Sequence, residues 1–260
     1  MKKSWGIMLL LAVLILAGCG STTSGATEVE EKKVLTMGTS ADYPPFEYID
    51  TAKGGDIIGF DVDLANAIAG KLGYEFEIKD MDFGGLISAL QSDKVDFVLA
   101  GMSATEERKQ NVDFSDVYYT AKDMIISQAG SGIETEEDLN GKTIGVQLGS
   151  IQEDYGKELQ KEYPDLQVES RDRISELVQE VKNGRFDAAV IDVTVATGFL
   201  EENDDLGGFI APADDEGAGS AMAFPKGSEL TEAFNAELQK MKENGELDAL
   251  IEEWFGKENE

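Results

Sequence analysis

One pattern is written twice along this chain, and that repetition restricts its fold more than any other feature. Lys33-Val34-Leu35-Thr36-Met37-Gly38-Thr39-Ser40 is echoed by Lys142-Thr143-Ile144-Gly145-Val146-Gln147-Leu148-Gly149-Ser150, each an apolar strand pattern running into a polar turn. Lys94-Val95-Asp96-Phe97-Val98-Leu99-Ala100-Gly101 is echoed by Arg185-Phe186-Asp187-Ala188-Ala189-Val190-Ile191-Asp192. Helical patterns lie between the members of each pair. In the first unit Leu64, Ala65, Ile68 and Leu72 share a face closed by Gly73, and Leu86, Ile87 and Leu90 face inward from a helix over residues 83–90. In the second, helices are expected over residues 151–163 and 174–181, where Ile174, Leu177, Val178 and Val181 share a face. Alternating strands and helices predict two similar α/β units.

The remaining elements fill in around these. Residues 74–79 alternate as a strand, Tyr43-Pro44-Pro45-Phe46 excludes helix, and Met124-Ile125-Ile126 reads as a further strand. Residues 134–139 are expected to form an acidic surface helix. Near the C-terminus, Leu230, Phe234, Leu238 and Met241 share a helix that stops at Asn244-Gly245, before a shorter apolar face from Leu247 to Phe255.

The first residues stand apart from the fold. Lys2-Lys3 precede an almost wholly apolar run over residues 7–16, which is shorter than a membrane span of about 20 residues. Leu16-Ala17-Gly18-Cys19 ends it, so residues 1–18 read as a signal peptide. Leu-Ala-Gly-Cys resembles the bacterial lipobox, in which the cysteine is diacylated and becomes the new first residue; Cys19 is the single cysteine of the chain. Residues 19–33, rich in Ser, Thr, Gly and Glu, are then a flexible tether. The expected location is the extracytoplasmic face of a cell membrane, held by lipid, as on a Gram-positive surface.

Charge and composition narrow the chemistry. The formal net charge is −30, and removing residues 1–18 leaves 20 basic against 52 acidic residues. That balance argues against nucleic acid and against a polybasic grip on anionic lipid. There is no histidine, so triads, imidazole metal sites and imidazole proton shuttles are excluded. No cofactor is implied. Asp61 and Asp63 lack the glycine and distal glutamate of a calcium loop, and read as first-turn acids favouring a helix dipole.

Three strand ends are polar, and in open α/β sheets ligands bind beyond the carboxyl ends of the strands. The first gives Gly101, Ser103 and Arg108, with Thr105 as N-cap of a helix that starts there. The second is Gly149-Ser150-Ile151, at a helix start that offers backbone donors. The third is Asp192, whose plain alternative is an N-cap. A guanidinium fork with helix-end donors suits a carboxylate, and an aspartate suits an ammonium group. Together they complement an α-amino acid zwitterion.

Gly59-Phe60-Asp61-Val62-Asp63-Leu64, residues 100–108, Val112-Asp113-Phe114-Ser115, Tyr118-Tyr119 and residues 184–192 closely resemble the family 3 extracellular solute-binding proteins of bacterial polar-amino-acid ABC importers, in lipoprotein form. The resemblance runs from about residue 34 to residue 256. It implies an α/β, two-lobe periplasmic-binding-protein-like fold of type II. Lobe 1 would comprise residues 34–120 and 222–256, lobe 2 residues 126–216, and the two hinge crossings residues 121–125 and 217–221. It implies that Arg108 and Ser103 hold the ligand carboxylate, that Asp192 holds its ammonium, that Gly101 and Ile151 add backbone contacts, and that Tyr43 and Phe83 sandwich the side chain. Ser40 stands where many relatives for basic side chains have aspartate, and Ala100 where some have serine; both bear on the side-chain pocket.

The implied function is capture of a polar amino acid and delivery to ABC permease subunits, by a monomer. Aromatic walls and an acidic surface favour arginine or lysine. Ser40 works against them, with Asp42 or Glu47 as compensating acids. Glutamine or cystine is the alternative, since Ser40, Gln147 and Gln152 could hydrogen-bond an amide. From other classes, a dehydratase-like enzyme on the same fold would need an acid–base pair that no spacing marks out. A receptor sensory domain would need a second membrane segment, which the sequence up to Glu260 does not supply.

Overall fold

Asp96 and Asp187, the acids common to the echoed segments, each close the same pair of bonds. The Asp96 carboxylate accepts from the Thr36 N–H at 2.7 Å, while the Asp96 N–H donates to the Thr36 carbonyl at 2.8 Å. Asp187 makes both bonds with Thr143, each at 2.8 Å. The repeated acid therefore staples one strand beside another, once in each of two sheets. The computed structural model describes residues 33–256 except Ala121 and residues 213–218. The expected signal peptide, Cys19, nearly all of the tether and parts of both hinge crossings lie outside the described residues.

The first half contributes β1 (Val34–Thr39), β2 (Asp42–Tyr43), β3 (Glu47–Asp50), β4 (Asp56–Ile58), α1 (Phe60–Lys71), β5 (Glu75–Asp80), α2 (Leu86–Gln91), β6 (Phe97–Val98), α3 (Glu106–Lys109) and β7 (Val112–Phe114). There follow β8 (Asp123–Gln128), β9 (Thr143–Gln147), α4 (Ile151–Glu162), β10 (Gln167–Arg171), α5 (Ile174–Lys182), β11 (Ala188–Asp192), α6 (Val193–Glu202) and β12 (Leu206–Ile210). The chain ends with β13 (Ala223–Pro225), α7 (Glu229–Asn244) and α8 (Glu246–Phe255).

Two five-stranded sheets result, ordered β5-β1-β6-β13-β7 and β10-β9-β11-β8-β12. In each, the first three strands are parallel and the last two run antiparallel to their neighbours. The echoed segments occupy matching slots, β1 with β9 and β6 with β11. This is the two-lobe arrangement implied by the resemblance. Strands β2, β3 and β4 form a small separate sheet that the sequence pattern did not show.

Aromatic packing fixes the last helix against the first lobe. Phe46, fully buried, lies with ring centroids 6.3 Å from Phe60, 5.4 Å from Tyr119 and 5.0 Å from Phe255. Burying one such ring contributes about 1.5–3 kcal/mol. Asp63 on α1 accepts from the Trp254 indole N–H at 2.9 Å, tying α8 down. Asp61 and Asp63 thus point to different partners.

Some elements differ from expectation. Residues 83–90 are a 3-10 turn, Phe83–Gly85, followed by α2, and Gly84 in that turn lies close against the backbone of Leu148. Residues 134–139 hold only a 3-10 turn, Glu136–Leu139, opened by a capping box between Thr135 and Asp138 and ended at Asn140, whose backbone is extended. Strand β8 begins at Asp123, inside the expected hinge crossing, because its ladder with β11 runs on to Asp192 opposite Asp123. The apolar run that begins at Phe97 leaves the sheet after two residues and turns at Gly101, φ 54°.

Candidate functional site

The strand ends of both sheets open onto one cavity of about 1190 Å³. Ser40, Tyr43, Phe83, Ala100, Gly101, Ser103, Arg108, Ser150, Ile151 and Asp192 all line it. Chain positions up to 152 residues apart are brought together by the two sheets facing across a cleft. The cavity is also lined by groups that the sequence did not single out, among them Thr120, Lys122, Asp123, Tyr155 and Ser220.

Arg108 is held from both sides of the cleft. Thr105 caps α3 by accepting from the Arg108 N–H at 3.2 Å. One guanidinium nitrogen donates to the Ser103 carbonyl at 2.8 Å and the other to the Gly149 carbonyl at 2.9 Å. Its central carbon lies 5.4 Å from the Phe83 ring centroid. A guanidinium has five N–H donors, so two carbonyls leave most of the fork to face the cavity. Burial lowers its pKa to about 10, which leaves it cationic near neutrality.

The opposite charge comes from the second sheet. Asp192 caps α6, accepting from the Thr194 N–H at 2.8 Å through one oxygen. Burial, its largest influence, pushes the carboxyl up to about 7; the nearby Asp123 adds to the rise and the Thr194 donors oppose it. Asp192 is therefore an N-cap and a cavity acid together. Asp123 accepts from the Gln152 amide at 2.7 Å, and its own carboxyl is raised by burial.

The aromatic walls need glycine beside them. A Cβ on Gly101 would sit 3.0 Å from Tyr43 Cε1, so a side chain there would displace the ring. The Gly101 N–H donates to the buried Asp61 carboxylate at 2.9 Å, and the Tyr118 hydroxyl donates to the same oxygen at 2.9 Å. The Gly101 carbonyl accepts from the Ser220 hydroxyl at 3.0 Å, so both backbone groups of Gly101 already have partners within the protein. Asp61, read from sequence as a dipole-favouring acid, is instead an internal support of this turn. Its pKa is raised to about 7, chiefly by burial.

The second turn likewise offers less than its residues suggest. The Ser150 hydroxyl accepts from the Glu153 N–H and donates to the Gln147 carbonyl, which also accepts the Ser150 N–H. The Gly149 N–H goes to Glu153. Ser150 shapes the turn, and the donors facing the cavity are the first-turn amides of α4 beginning at Ile151. Ser40 is buried, and its hydroxyl has no partner among the described residues. Glu47 also lines the cavity and is fully buried beside the Asp61 carboxyl; burial and then Asp61 push its pKa well above the usual range. Asp42, the other acid weighed for the pocket, points away to Ser175.

The profile of the bacterial extracellular solute-binding proteins, family 3, matches residues 35–257. The arginine-binding extracellular protein ArtP of Bacillus subtilis is 56% identical over 256 residues, covering 97% of this chain and 98% of that protein. Among solved structures, the substrate-binding protein of an amino acid ABC transporter superposes with a TM-score of 0.81 at 43% identity, covering 86% of this chain and 100% of that one. An ancestral arginine-binding protein bound to arginine gives a TM-score of 0.80 at 44% identity, covering 86% and 99%.

Proposed function

The chain belongs to family 3 of the bacterial extracellular solute-binding proteins, and from that premise we propose that it captures a basic amino acid, arginine first and lysine second, for an ABC importer. The observation that carries this reading is the pairing of Arg108 and Asp192 on one cavity, with Tyr43 and Phe83 on its walls. Arg108 and Ser103 hold the ligand carboxylate, Asp192 its ammonium, and the α4 amides at Ile151 add donors. The side chain lies between the two rings, where a guanidinium gains from stacking and cation–π attraction.

The charge of the cavity supports a cationic side chain. Asp123, Glu136, Glu158, Glu162 and Asp192 line it against Arg108 and Lys122. The amides that would read glutamine are already engaged: Gln152 donates to Asp123, and Gln147 donates to the Asp172 carbonyl at 3.2 Å. The likeness to an arginine-binding relative points the same way. Ser40, with its unpartnered hydroxyl, then serves as a neutral hydrogen-bonding group beside the side chain.

Around that site we assign residues 34–120 and 222–256 to one lobe and residues 126–216 to the other, closing about the crossings at 121–125 and 217–221. Diacylation of Cys19 tethers the monomer to the outer face of a cell membrane of the Gram-positive type. Titration calorimetry with arginine, lysine, glutamine and cystine tests the ligand. Tight binding of either basic amino acid is expected; tight binding of glutamine or cystine with failure of both basic ones overturns the assignment.

A further inference from the structure

A second electrostatic arrangement spans the cleft outside the cavity. Arg173, the residue before α5 in the second lobe, reaches three aspartates of the first. Its guanidinium meets Asp80 in a bidentate pair at 2.7 and 3.2 Å and Asp82 at 3.0 Å, and lies 3.9 Å from Asp42. Two residues on, the Ser175 N–H and hydroxyl donate to Asp42 at 3.1 and 3.2 Å. The Arg173 side chain is 22% exposed and that of Asp42 15%, so solvent screens the centre of this cluster less than its edge at Asp82, 56% exposed. None of these five residues lines the ligand cavity.

The acids come from separate pieces of the first lobe: Asp42 from β2, Asp80 from the end of β5, and Asp82 from the turn before Phe83. Three carboxylates in one place repel one another when no cation is near. A fork with donors in fixed directions relieves that repulsion, and it is available only when the lobes are together. The arrangement has a favourable state, closed, and an unfavourable one, open.

We propose that Arg173 is an affinity-determining positioning residue that touches no ligand, acting as a clasp whose discharge against Asp42, Asp80 and Asp82 holds the cleft shut. This rests on the reading of the protein as a cleft that closes around an amino acid. The clasp sets how long the cleft stays closed, and leaves the choice of ligand to the cavity walls. Its contribution appears in the dissociation rate, because the contacts form after the ligand has entered. It also weakens with salt, as partly exposed charge pairs do.

The test uses Arg173→Met, which keeps the aliphatic stem, and Asp82→Asn, which leaves the Asp80 bond to the Ala41 N–H intact. Arginine dissociation is followed by stopped flow in about 0.02 M and about 0.5 M salt, and the empty proteins are compared by small-angle scattering. R173M is expected to release arginine about five- to tenfold faster than the parent at low salt, with association within about twofold and the difference shrinking at high salt. D82N should act in the same direction, and should add little on the R173M background. R173M dissociation within about twofold of the parent, with identical scattering profiles, overturns the clasp, as do equal losses at both salt levels. A parent that binds no basic amino acid while empty R173M is measurably expanded overturns the ligand assignment and leaves the clasp standing.

Discussion

Asp192 and Asp123 stand directly opposite one another on antiparallel strands β11 and β8, so their side chains leave the sheet on the same side, at the cavity. Like charges so placed disfavour joint ionisation, and burial disfavours it further. The carboxyl of Asp192, the acid proposed to hold the ligand ammonium, is accordingly raised to about 7, by burial first and by Asp123 in addition.

Arginine affinity should fall as pH drops. With the empty-site carboxyl of Asp192 at about 7, each pH unit below that removes about tenfold of the ionised form. From about pH 8 to about pH 5.5 the loss should be about 30-fold, measured by calorimetry. Asp192→Asn should bind weakly at both pH values, with a flattened profile. A pH-independent affinity in the parent would remove Asp192 as the ammonium partner.

Stability of the empty protein should run in the opposite direction. Asp61 and Asp192 are both raised to about 7, and Glu47 is raised as well, so the folded state binds protons that the unfolded state has already lost. Their contribution is present at low pH and is lost as pH rises through about 7. The acids lowered by ion pairs, such as Glu180 and Glu246, stay ionised throughout this window and do not oppose it. Scanning calorimetry should show a melting temperature several degrees higher near pH 5.5 than near pH 8, at about 2–4 °C per kcal/mol for a chain of this size. Glu47→Gln should reduce the slope, and a melting temperature that rises with pH over this range would contradict the account.

Arg108→Ala should abolish useful binding, at a cost on the order of 2–5 kcal/mol for one partner of a buried charge pair. Arg108→Lys should recover little, because one ammonium cannot meet the Ser103 and Gly149 carbonyls and a carboxylate with the same planar fork. Circular dichroism should be unchanged for both. Lysine restoring near-parent affinity would show that charge alone suffices.

Gly84→Val tests the cleft rim. A Cβ there would lie 3.2 Å from the Leu148 carbonyl oxygen, and valine adds two methyl groups beyond it. The backbone of Gly84 needs no left-handed conformation, so the fold should tolerate the change while closure does not. Affinity for arginine should drop about tenfold or more without loss of melting temperature in the empty protein. Unaltered affinity would mean the lobes meet elsewhere.

Cys19→Ser should free the protein from the membrane fraction or leave an uncleaved precursor, since a diacylated cysteine supplies the two chains that stable anchoring takes. Membrane fractionation of the variant checks this. A variant that matures normally and remains lipid-linked excludes Cys19 as the attachment point.

What could be read from the sequence was what repeats locally. Asp96 and Asp187 were visible as a repeat, whereas their bonds to Thr36 and Thr143, 60 and 44 residues away, were not. The Thr105 cap was legible because its partner lies three residues on. Groups whose partners are distant were not legible. Asp123 is an unremarked acid until the ladder sets it opposite Asp192, and Arg173 is a surface charge until three segments of the other lobe surround it. Helix length failed at residues 134–139, where the backbone turns extended at Asn140 after a single turn.

The slot held by β13 has a consequence for a chain that emerges from its N-terminus onward. The second sheet is assembled entirely from residues 123–210, an uninterrupted stretch. The first needs Ala223–Pro225 between β6 and β7, and until those residues arrive both strands present unpaired edges. The half that begins first therefore finishes last, and must wait as an incomplete sheet while the other is made whole. Between those moments the exposed edges of β6 and β7 are where a passing chain would pair wrongly.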